Sequence, residues 1–560
     1  MPPIDVLIVG AGPAGLATAI RLRQRLAAAR REASVVVLDK AAAPGFHNLS
    51  GAIVEPAALD ELLPDWKSDH SRFADHVTPV ERDELYLLTA RRAVRLPAPL
   101  VPQPMRHPGD VTLPVSSLAA FLSAQAARLG AEVYHGFAAR ELLLEAGSVR
   151  GVRLVDVGLD EAGRPKANYL PGEEVHATIT VLADGSHGVL SSQLADLGRR
   201  GNGASDGRKG HDVGAGHDPG MASGRGVAGD PAGRRDPQVY GLGVKALVQF
   251  AGANPFGTNR VVHTVGYPAW RGIFGGGFIY SMGPKTAAVG LILGLDWRYG
   301  DLDPRVEFER FRAHPFVARL LEGSTTIAAG AKTIPEGGYY ALGPLHAAGA
   351  LAVGDAAGFV NEAKLKGVHY ALRSGMCAAD AIADVLLAGG PPEAVGARYL
   401  GRLEQRGILA ELYRARNYRQ GFQWGLLPGA FLSVVGDRLP VHLRMPPDRQ
   451  GTRPGARLAR RLPEGVDGAG FLSLTGTSHR EDEPAHVALV DPARCVACGT
   501  ADEAACTHFC PGEVYRWSGE RIVLSPSNCL HCMTCTVKCP QDNIRWTPPE
   551  GGEGPRYRQL

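Results

Sequence analysis

Asp5-Val-Leu-Ile-Val9-Gly10-Ala-Gly12-Pro-Ala-Gly15 decides the fold. Five residues, four of them apolar, read as a strand, the glycines as a turn, and Leu16 to Leu26 as the helix that follows. Gly10 and Gly12 permit a tight turn and the close approach of a pyrophosphate, and Gly15 lets the helix lie on the strand. The helix amino terminus then offers unpaired N–H groups to the phosphates. A second strand, Ser34-Val-Val-Val-Leu38, ends at Asp39, where a carboxylate accepts from a ribose hydroxyl. An ordinary tight βα turn would need neither the third glycine nor the acid. The class is α/β, with a Rossmann-like dinucleotide site at Gly10, Gly12, Gly15 and Asp39.

The motif alone leaves NAD and FAD open. Two later segments favour FAD. Ala177-Thr-Ile-Thr-Val-Leu-Ala-Asp184-Gly185 is a strand running into an acidic-glycine turn. Leu351-Ala-Val-Gly354-Asp355-Ala-Ala-Gly358 is another, and a helix follows from about Gly367 through Ala383. Three such turns in this order resemble the large glutathione-reductase/hydroxylase flavoproteins. There the second Asp holds the ribityl chain, and the helix end stabilises the anionic reduced flavin.

Eight of the nine cysteines lie in two sets near the carboxyl terminus: Cys495, Cys498, Cys506, Cys510, then Cys529, Cys532, Cys535, Cys539. The second set reads C-x2-C-x2-C-x3-C-P, a spacing that wraps three thiolates around one cubane cluster; zinc favours paired C-x2-C. In two-cluster ferredoxins the fourth cysteine of each run serves the other cluster. Cys510 would then complete the set of Cys529, Cys532 and Cys535, and Cys539 that of Cys495, Cys498 and Cys506. The first set carries seven residues between Cys498 and Cys506 instead of two, so one [4Fe-4S] cluster or two both stay open. Cys377 stands alone on an apolar helix and reads as core.

With 560 residues the chain is long enough for two to four domains, and a formal charge of +3 gives no reason to expect a nucleic-acid partner. The cysteine usage points to metal centres in a reducing compartment. No signal or transit peptide precedes the first strand, and no apolar run spans a bilayer. Gln423 to Gly436 is short and apolar, with Arg416, Arg419 and Arg438 as basic flanks, and Arg95 to Met105 is Pro-rich and apolar. Both suit either monotopic insertion or a buried core. The Arg-rich run Arg449 to Arg461 fits either anionic lipid or a solvated loop. Arg199 to Pro237 is Gly-rich and nearly without aromatics, and reads as a disordered insertion.

Beyond these turns, the chain carries His47-Asn-Leu-Ser50-Gly51, Leu63-Pro-Asp-Trp66, His263-Thr-Val-Gly266, Phe274-Gly275-Gly276-Gly-Phe278, Pro484-Ala-His486 and Asn528-Cys529-Leu-His-Cys532-Met-Thr534-Cys535. Together they resemble the electron transfer flavoprotein–ubiquinone oxidoreductase family over nearly the whole length. The resemblance implies a Rossmann-like FAD domain (1–80, 110–198, 345–400) and an interleaved quinone-binding, membrane-contacting β-sheet domain (81–109, 238–344). It also implies a helical connector (401–480) and a ferredoxin-like iron–sulfur domain (481–560), with the insertion at 199–237. It implies FAD contacts at Ser50, Gly51, Asp184, Gly185, Gly354, Asp355 and Gly367, and a quinone pocket at Phe274, Gly275 and Gly276. A cluster would sit on Cys510, Cys529, Cys532 and Cys535, tuned by the hydroxyls of Tyr515 and Thr534.

The partners so implied are electron transfer flavoprotein, membrane quinone (ubiquinone or menaquinone) and a membrane surface. The expected location is peripheral, on the cytoplasmic face of a bacterial-type inner membrane. The family's common form has one cluster and an Asp in place of Cys539. The fuller cysteine tail resembles a small ferredoxin partner of bifurcating systems, so a bifurcating flavoprotein–ferredoxin fusion stays open. An FAD-dependent reductase of a small hydrophobic substrate and a non-catalytic electron relay stay open as well.

Overall fold

The computed structural model describes residues 3–68, 73–201, 235–252, 254–270, 272–436, 438–439, 441–453, 455–463, 470–502 and 504–560. From 202 to 234 the insertion expected at 199–237 lies outside the described residues.

Strand Ile4–Val9 is the middle of an eight-stranded sheet. Val35–Asp39 and Glu174–Leu182 flank it in parallel, with Ile8 opposite both Val37 and Val181. Glu132–His135 and Ala350–Ala352 extend the parallel array on either side. Val6, Leu7, Ile8, Val37, Val181 and Leu182 are fully buried, so the central strands are apolar on both faces. Helix Pro13–Ala28 packs on the long helix Val368–Ala388. They meet over Gly375, where an added Cβ would stand 2.3 Å from the Ala14 carbonyl oxygen. Cys377, on that long helix, is fully buried.

A second, seven-stranded sheet runs in the order Ser324–Pro335, Tyr240–Phe250, Thr286–Gly294, Gly275–Ser281, Arg260–Gly266, Arg82–Leu88, Ala93–Arg95. All neighbours are antiparallel except Arg260–Gly266 with Arg82–Leu88. Leu242, Val244 and Val289 share a core with Phe308 and Phe311 of helix Pro304–Arg312. Leu247, Phe278, Tyr280 and Ala288 pack instead with Ala52, Ile53 and the carboxyl-terminal Tyr557 and Leu560. Side chains alternate between faces, which is how one sheet serves two cores.

The chain then runs through short helices, Ala394–Gln405, Ile408–Arg414, Tyr418–Gly421 and Leu426–Val435. The cysteine region has two small antiparallel pairs, Val487–Leu489 with Ile544–Trp546 and Tyr515–Trp517 with Ile522–Leu524. Among the described residues no helix is long and apolar enough to cross a membrane.

Candidate redox site

A cavity of about 900 Å³ runs from the first glycine turn to Leu427. At its inner end Gly10 has φ +111°, and a Cβ there would meet the Ala183 carbonyl oxygen at 2.2 Å; at Gly15 it would meet the Gly10 oxygen at 2.0 Å. Only glycine lets the backbone bend here and leave the helix end open to a phosphate. Asp39 lines the cavity, and its two oxygens accept from the Ala11 and Ala41 N–H groups at 2.7 and 2.8 Å. Each oxygen keeps a second lone pair for a hydroxyl.

Asp184 lines the same space but also caps the helix Val189–Gly201, accepting from Leu190 and Ser191 N–H. Burial pushes its carboxyl up. Asp355 is raised to about 6 by burial, against the pull of the Lys332 charge. Gly354 donates its N–H to Ser374 Oγ at 3.0 Å, and Gly367 stands immediately before the long helix, whose first turn faces the cavity. Ser50, Gly51 and Gly185 complete this wall.

Two lysines here escape a reading of the sequence. Lys40 and Lys332 line the cavity, and among the described residues neither pairs with a carboxylate. Lys40 is lowered to about 8 by burial and the Lys332 charge, with Asp39 pulling back; its ammonium lies 4.6 Å from the Trp546 ring centre. Lys332 donates to the His531 carbonyl at 3.2 Å, and burial lowers it. Half-buried cations with no ion-pair partner are costly unless an anion joins them. A glycine cradle, an open helix end and two such cations fit FAD.

Towards the other end Gly275 has φ +150°, and a Cβ would lie 2.0 Å from the Ile292 oxygen; at Gly276 it would lie 2.5 Å from the Thr264 oxygen. Phe274 faces Phe422 at 5.2 Å and carries the Arg419 guanidinium 3.9 Å over its ring. Arg419 pairs with Asp296 at 2.7 Å and Glu336 at 3.3 Å. Glu336 and Glu362 also line the cavity, raised by burial to about 7 and about 8.

Outside the mouth the apolar segments are bare. Leu427 is 82 % exposed, Phe431 66 %, Val434 65 %, Trp424 55 % and Leu100 67 %. Two of the expected basic flanks are not at this surface. Arg419 is buried in its ion pairs, and Arg416 is buried while donating to the Tyr413 and Leu439 carbonyls. Within the Arg-rich run, Arg449 pairs with Asp542 and Arg460 with Glu307.

The cysteines form two groups. Cys510, Cys529, Cys532 and Cys535 are buried; the Cys535 thiol is pushed up by burial and by the sulfurs of Cys529 and Cys532. The Thr534 hydroxyl lies 3.3 Å from Cys532 Sγ. The Tyr515 phenol is buried and raised by that burial and by Cys535 and Cys510. The Cys506 thiol is raised by burial and by the charges of Cys498, Cys539, Cys495 and Cys510. Asn543 ties this second group together, donating from Nδ2 to Cys495 Sγ at 3.1 Å and from its backbone to Cys539 Sγ at 3.4 Å. Among the described residues no three cysteine sulfurs lie within 4.8 Å of one another. A zinc tetrathiolate would draw them to about 3.8 Å, whereas a cubane holds its ligands further apart. His531 and Met533, lying between the cluster cysteines, are part of the cavity wall.

Comparison with known proteins agrees with this geometry. Residues 465–558 match the family described as "Electron transfer flavoprotein-ubiquinone oxidoreductase, 4Fe-4S", 240–334 "ETF-QO, ubiquinone-binding", and 8–58 "NAD(P)-binding Rossmann-like domain". The chain is 36 % identical to the probable mitochondrial electron transfer flavoprotein-ubiquinone oxidoreductase of Schizosaccharomyces pombe, covering 99 % of this chain and 85 % of that one. It is 35 % identical to the Homo sapiens protein of that name, covering 99 % and 89 %. A geranylgeranyl bacteriochlorophyll reductase-like protein from Thermoplasma acidophilum shares the fold, with TM-score 0.52 at 19 % identity over 77 % of this chain and 90 % of that one.

These relatives correct the expected location. They are named mitochondrial, which overturns the placement on the cytoplasmic face of a bacterial-type inner membrane. An apolar surface senses hydrocarbon and carries no mark of which bilayer supplies it. Over its full length this chain belongs to the electron transfer flavoprotein–ubiquinone oxidoreductase family.

Proposed function

We propose that this chain takes electrons from reduced electron transfer flavoprotein and delivers them, through a [4Fe-4S] cluster and FAD, to quinone. The observation that carries this is the single cavity wall shared by the glycine cradle, the Phe274–Gly276 turn and His531 and Met533 from the cysteine loop. When bound, the cluster supplies one-electron transfer and FAD stores the pair that a quinone requires. Gly10, Gly12, Gly15, Asp39, Ser50, Gly51, Asp184, Gly185, Gly354, Asp355 and Gly367 would hold FAD, with Lys40 and Lys332 supplying positive charge. Cys510, Cys529, Cys532 and Cys535 would hold the cluster, with Tyr515 and Thr534 directing hydroxyls at its sulfurs.

Phe274, Gly275 and Gly276 would receive the quinone ring. The bare helix Leu426–Val435 and the 95–105 loop would rest in the membrane around the mouth. The two sheets support the interleaved division into FAD and quinone-binding parts, because 82–95 joins the sheet built from 240–335.

The grouping of Cys495, Cys498, Cys506 and Cys539 around Asn543 supports a second cluster. Iron and acid-labile sulfide per FAD, with EPR after reduction, test the assignment. About eight irons and spin-coupled broadening are expected; about four would leave the second group empty. No iron in anaerobically prepared protein, or no quinone reduction by reduced electron transfer flavoprotein, would overturn the proposal.

A further inference from the structure

Reducing a quinone to a quinol takes two electrons and two protons, and the cavity where this happens is walled largely by apolar groups and glycine backbone. The electrons come with the established donor, but the protons need their own way in. Along the strand Gly275–Ser281, Gly276, Phe278 and Tyr280 share one face, by the two-residue period of a strand. Tyr280 and His263 both line the cavity, and both are nearly fully buried. The Tyr280 hydroxyl lies 2.6 Å from His263 Nε2. On the other side of the ring, His263 Nδ1 stands 3.9 Å from Asp83 Oδ1, and the Asp83 side chain is 23 % exposed. Next to Asp83 in sequence, Glu81 and Arg82 are exposed at the surface. The three groups therefore stand in order between water and the cavity, carboxylate, imidazole and phenol, with a hydrogen bond between imidazole and phenol and a longer 3.9 Å step from carboxylate to imidazole.

We propose that Asp83, His263 and Tyr280 are the route by which protons enter the redox cavity. This deepens the quinone-reductase reading and rests on it. A proton given up by Tyr280 to an acceptor in the cavity is replaced from His263 Nε2. His263 in turn takes a proton at Nδ1 from the Asp83 side, which recovers it from water. Between passages the imidazole turns over and brings its protonated nitrogen back to Tyr280, and two passages, with the two electrons of the donor, balance one quinol. The pieces come from three strands that the fold places side by side: His263 pairs with Phe278, and the Arg82–Leu88 strand sets Asp83 beside Val261.

The charges around the imidazole suit a relay. His263 faces Tyr280, Asp83 and the His107 ring, 5.1 Å away, and also feels Lys366. Burial lowers its basicity and Asp83 partly restores it. His107 donates its backbone N–H to Asp83 Oδ2 at 2.9 Å, which holds that carboxylate towards the ring.

Asp83, His107 and His263 also stand close enough together to hold a metal ion. Bound metal would occupy the imidazole nitrogen and block the relay, so the two roles are separable. The test uses the loaded enzyme and the variants Tyr280→Phe, His263→Gln and Asp83→Asn, each first checked for unchanged iron and FAD content. Proton uptake from lightly buffered water, followed with a pH dye as the protein is reduced without quinone, should slow about 100-fold or more in Tyr280→Phe and His263→Gln. With electron transfer flavoprotein as donor, the ratio of the quinone rate to that with ferricenium, which takes no proton, should fall similarly.

Uptake and ratio within threefold of wild type would overturn the proposal. So would a stoichiometric metal other than iron lost in His263→Gln, or the same loss of ratio in Glu362→Gln with none in Tyr280→Phe. Gly276→Leu separates the underlying reading. If it leaves the KM for quinone unchanged, the quinone pocket lies elsewhere, yet the dye measurement still decides the relay.

Discussion

Replacing Leu427 and Phe431 with serine should detach the protein from lipid. Both belong to helix Leu426–Val435, and with Trp424 and Val434 they present four side chains from 55 % to 82 % exposed. Fully burying a large apolar side chain is worth about 1.5–3 kcal/mol. The exposed portions of the four together equal somewhat less than three whole side chains, or about 4–8 kcal/mol on entering hydrocarbon. That sum must also cover the cost of immobilisation at the surface. Leu427 and Phe431 contribute slightly more than half, so the double variant should lose about 2–4 kcal/mol, which is about 30- to 1000-fold in partitioning.

Both side chains already face solvent, so the fold should be nearly unaffected. Iron and FAD content and the thermal midpoint check this. The assay is co-sedimentation with neutral phosphatidylcholine vesicles across a range of lipid concentrations. Neutral lipid isolates the apolar term, and the loss should persist in high salt because hydrophobic burial is not screened. A change smaller than threefold would refute the reasoning and make this helix a docking face for protein or an idle surface.

Tyr515→Phe and Thr534→Ala should each lower the cluster's reduction midpoint by about 40 mV, the equivalent of one hydrogen bond of about 1 kcal/mol for a one-electron couple. Redox titration followed by EPR reads this, and an unchanged midpoint would remove the hydroxyls from that role. Lys332→Met should lower the midpoints of both cluster and flavin, because the ammonium is close to Cys532, Cys529 and Asp355 and its charge favours an added electron on either side. A shift in one alone would show that the charge serves a single centre. Glu362 is raised to about 8 by burial, with the Glu336 charge adding to it. The folded protein therefore binds a proton that the unfolded chain has released above the ordinary value of 4.5. The stability this group contributes is full below pH 4.5 and is lost as pH rises towards 8. Glu362→Gln lacks that loss, so melting scans from pH 5 to 8 should show the variant gaining on wild type; parallel curves would contradict it.

How much could be read from the chain follows from the range of the interactions involved. The first strand, glycine turn and helix are local, and they fall at Ile4–Val9 and Pro13–Ala28, within a few residues of the expected bounds. The two cysteine sets stand out in the chain too, because a cluster constrains spacing directly. The bare helix could be located but not its exposure, since an apolar run of fourteen residues looks alike in a core and on a surface. Its flanking arginines misled for a related reason. Arg416 and Arg419 read as charges next to an apolar stretch, while the fold supplies Asp296, Glu336 and two carbonyls that hold them inside.

The groups that carry charge and protons were the least legible, and the cause is register. Lys332 lies in the apolar strand Ser324–Pro335 and means nothing until that strand is laid against the cysteine loop. Asp83 and His263 are 180 residues apart in sequence and become neighbours only because their strands pair in parallel, Leu85 opposite His263. A shift of one residue in that pairing would turn Asp83 to the other face and break the connection. The electron path is thus written in spacing, which survives in a linear sequence, and the proton path in pairing, which only the folded sheet reveals. Such a division suits the chemistry, because electrons cross gaps between fixed centres while a proton needs each hydrogen-bonding neighbour in place.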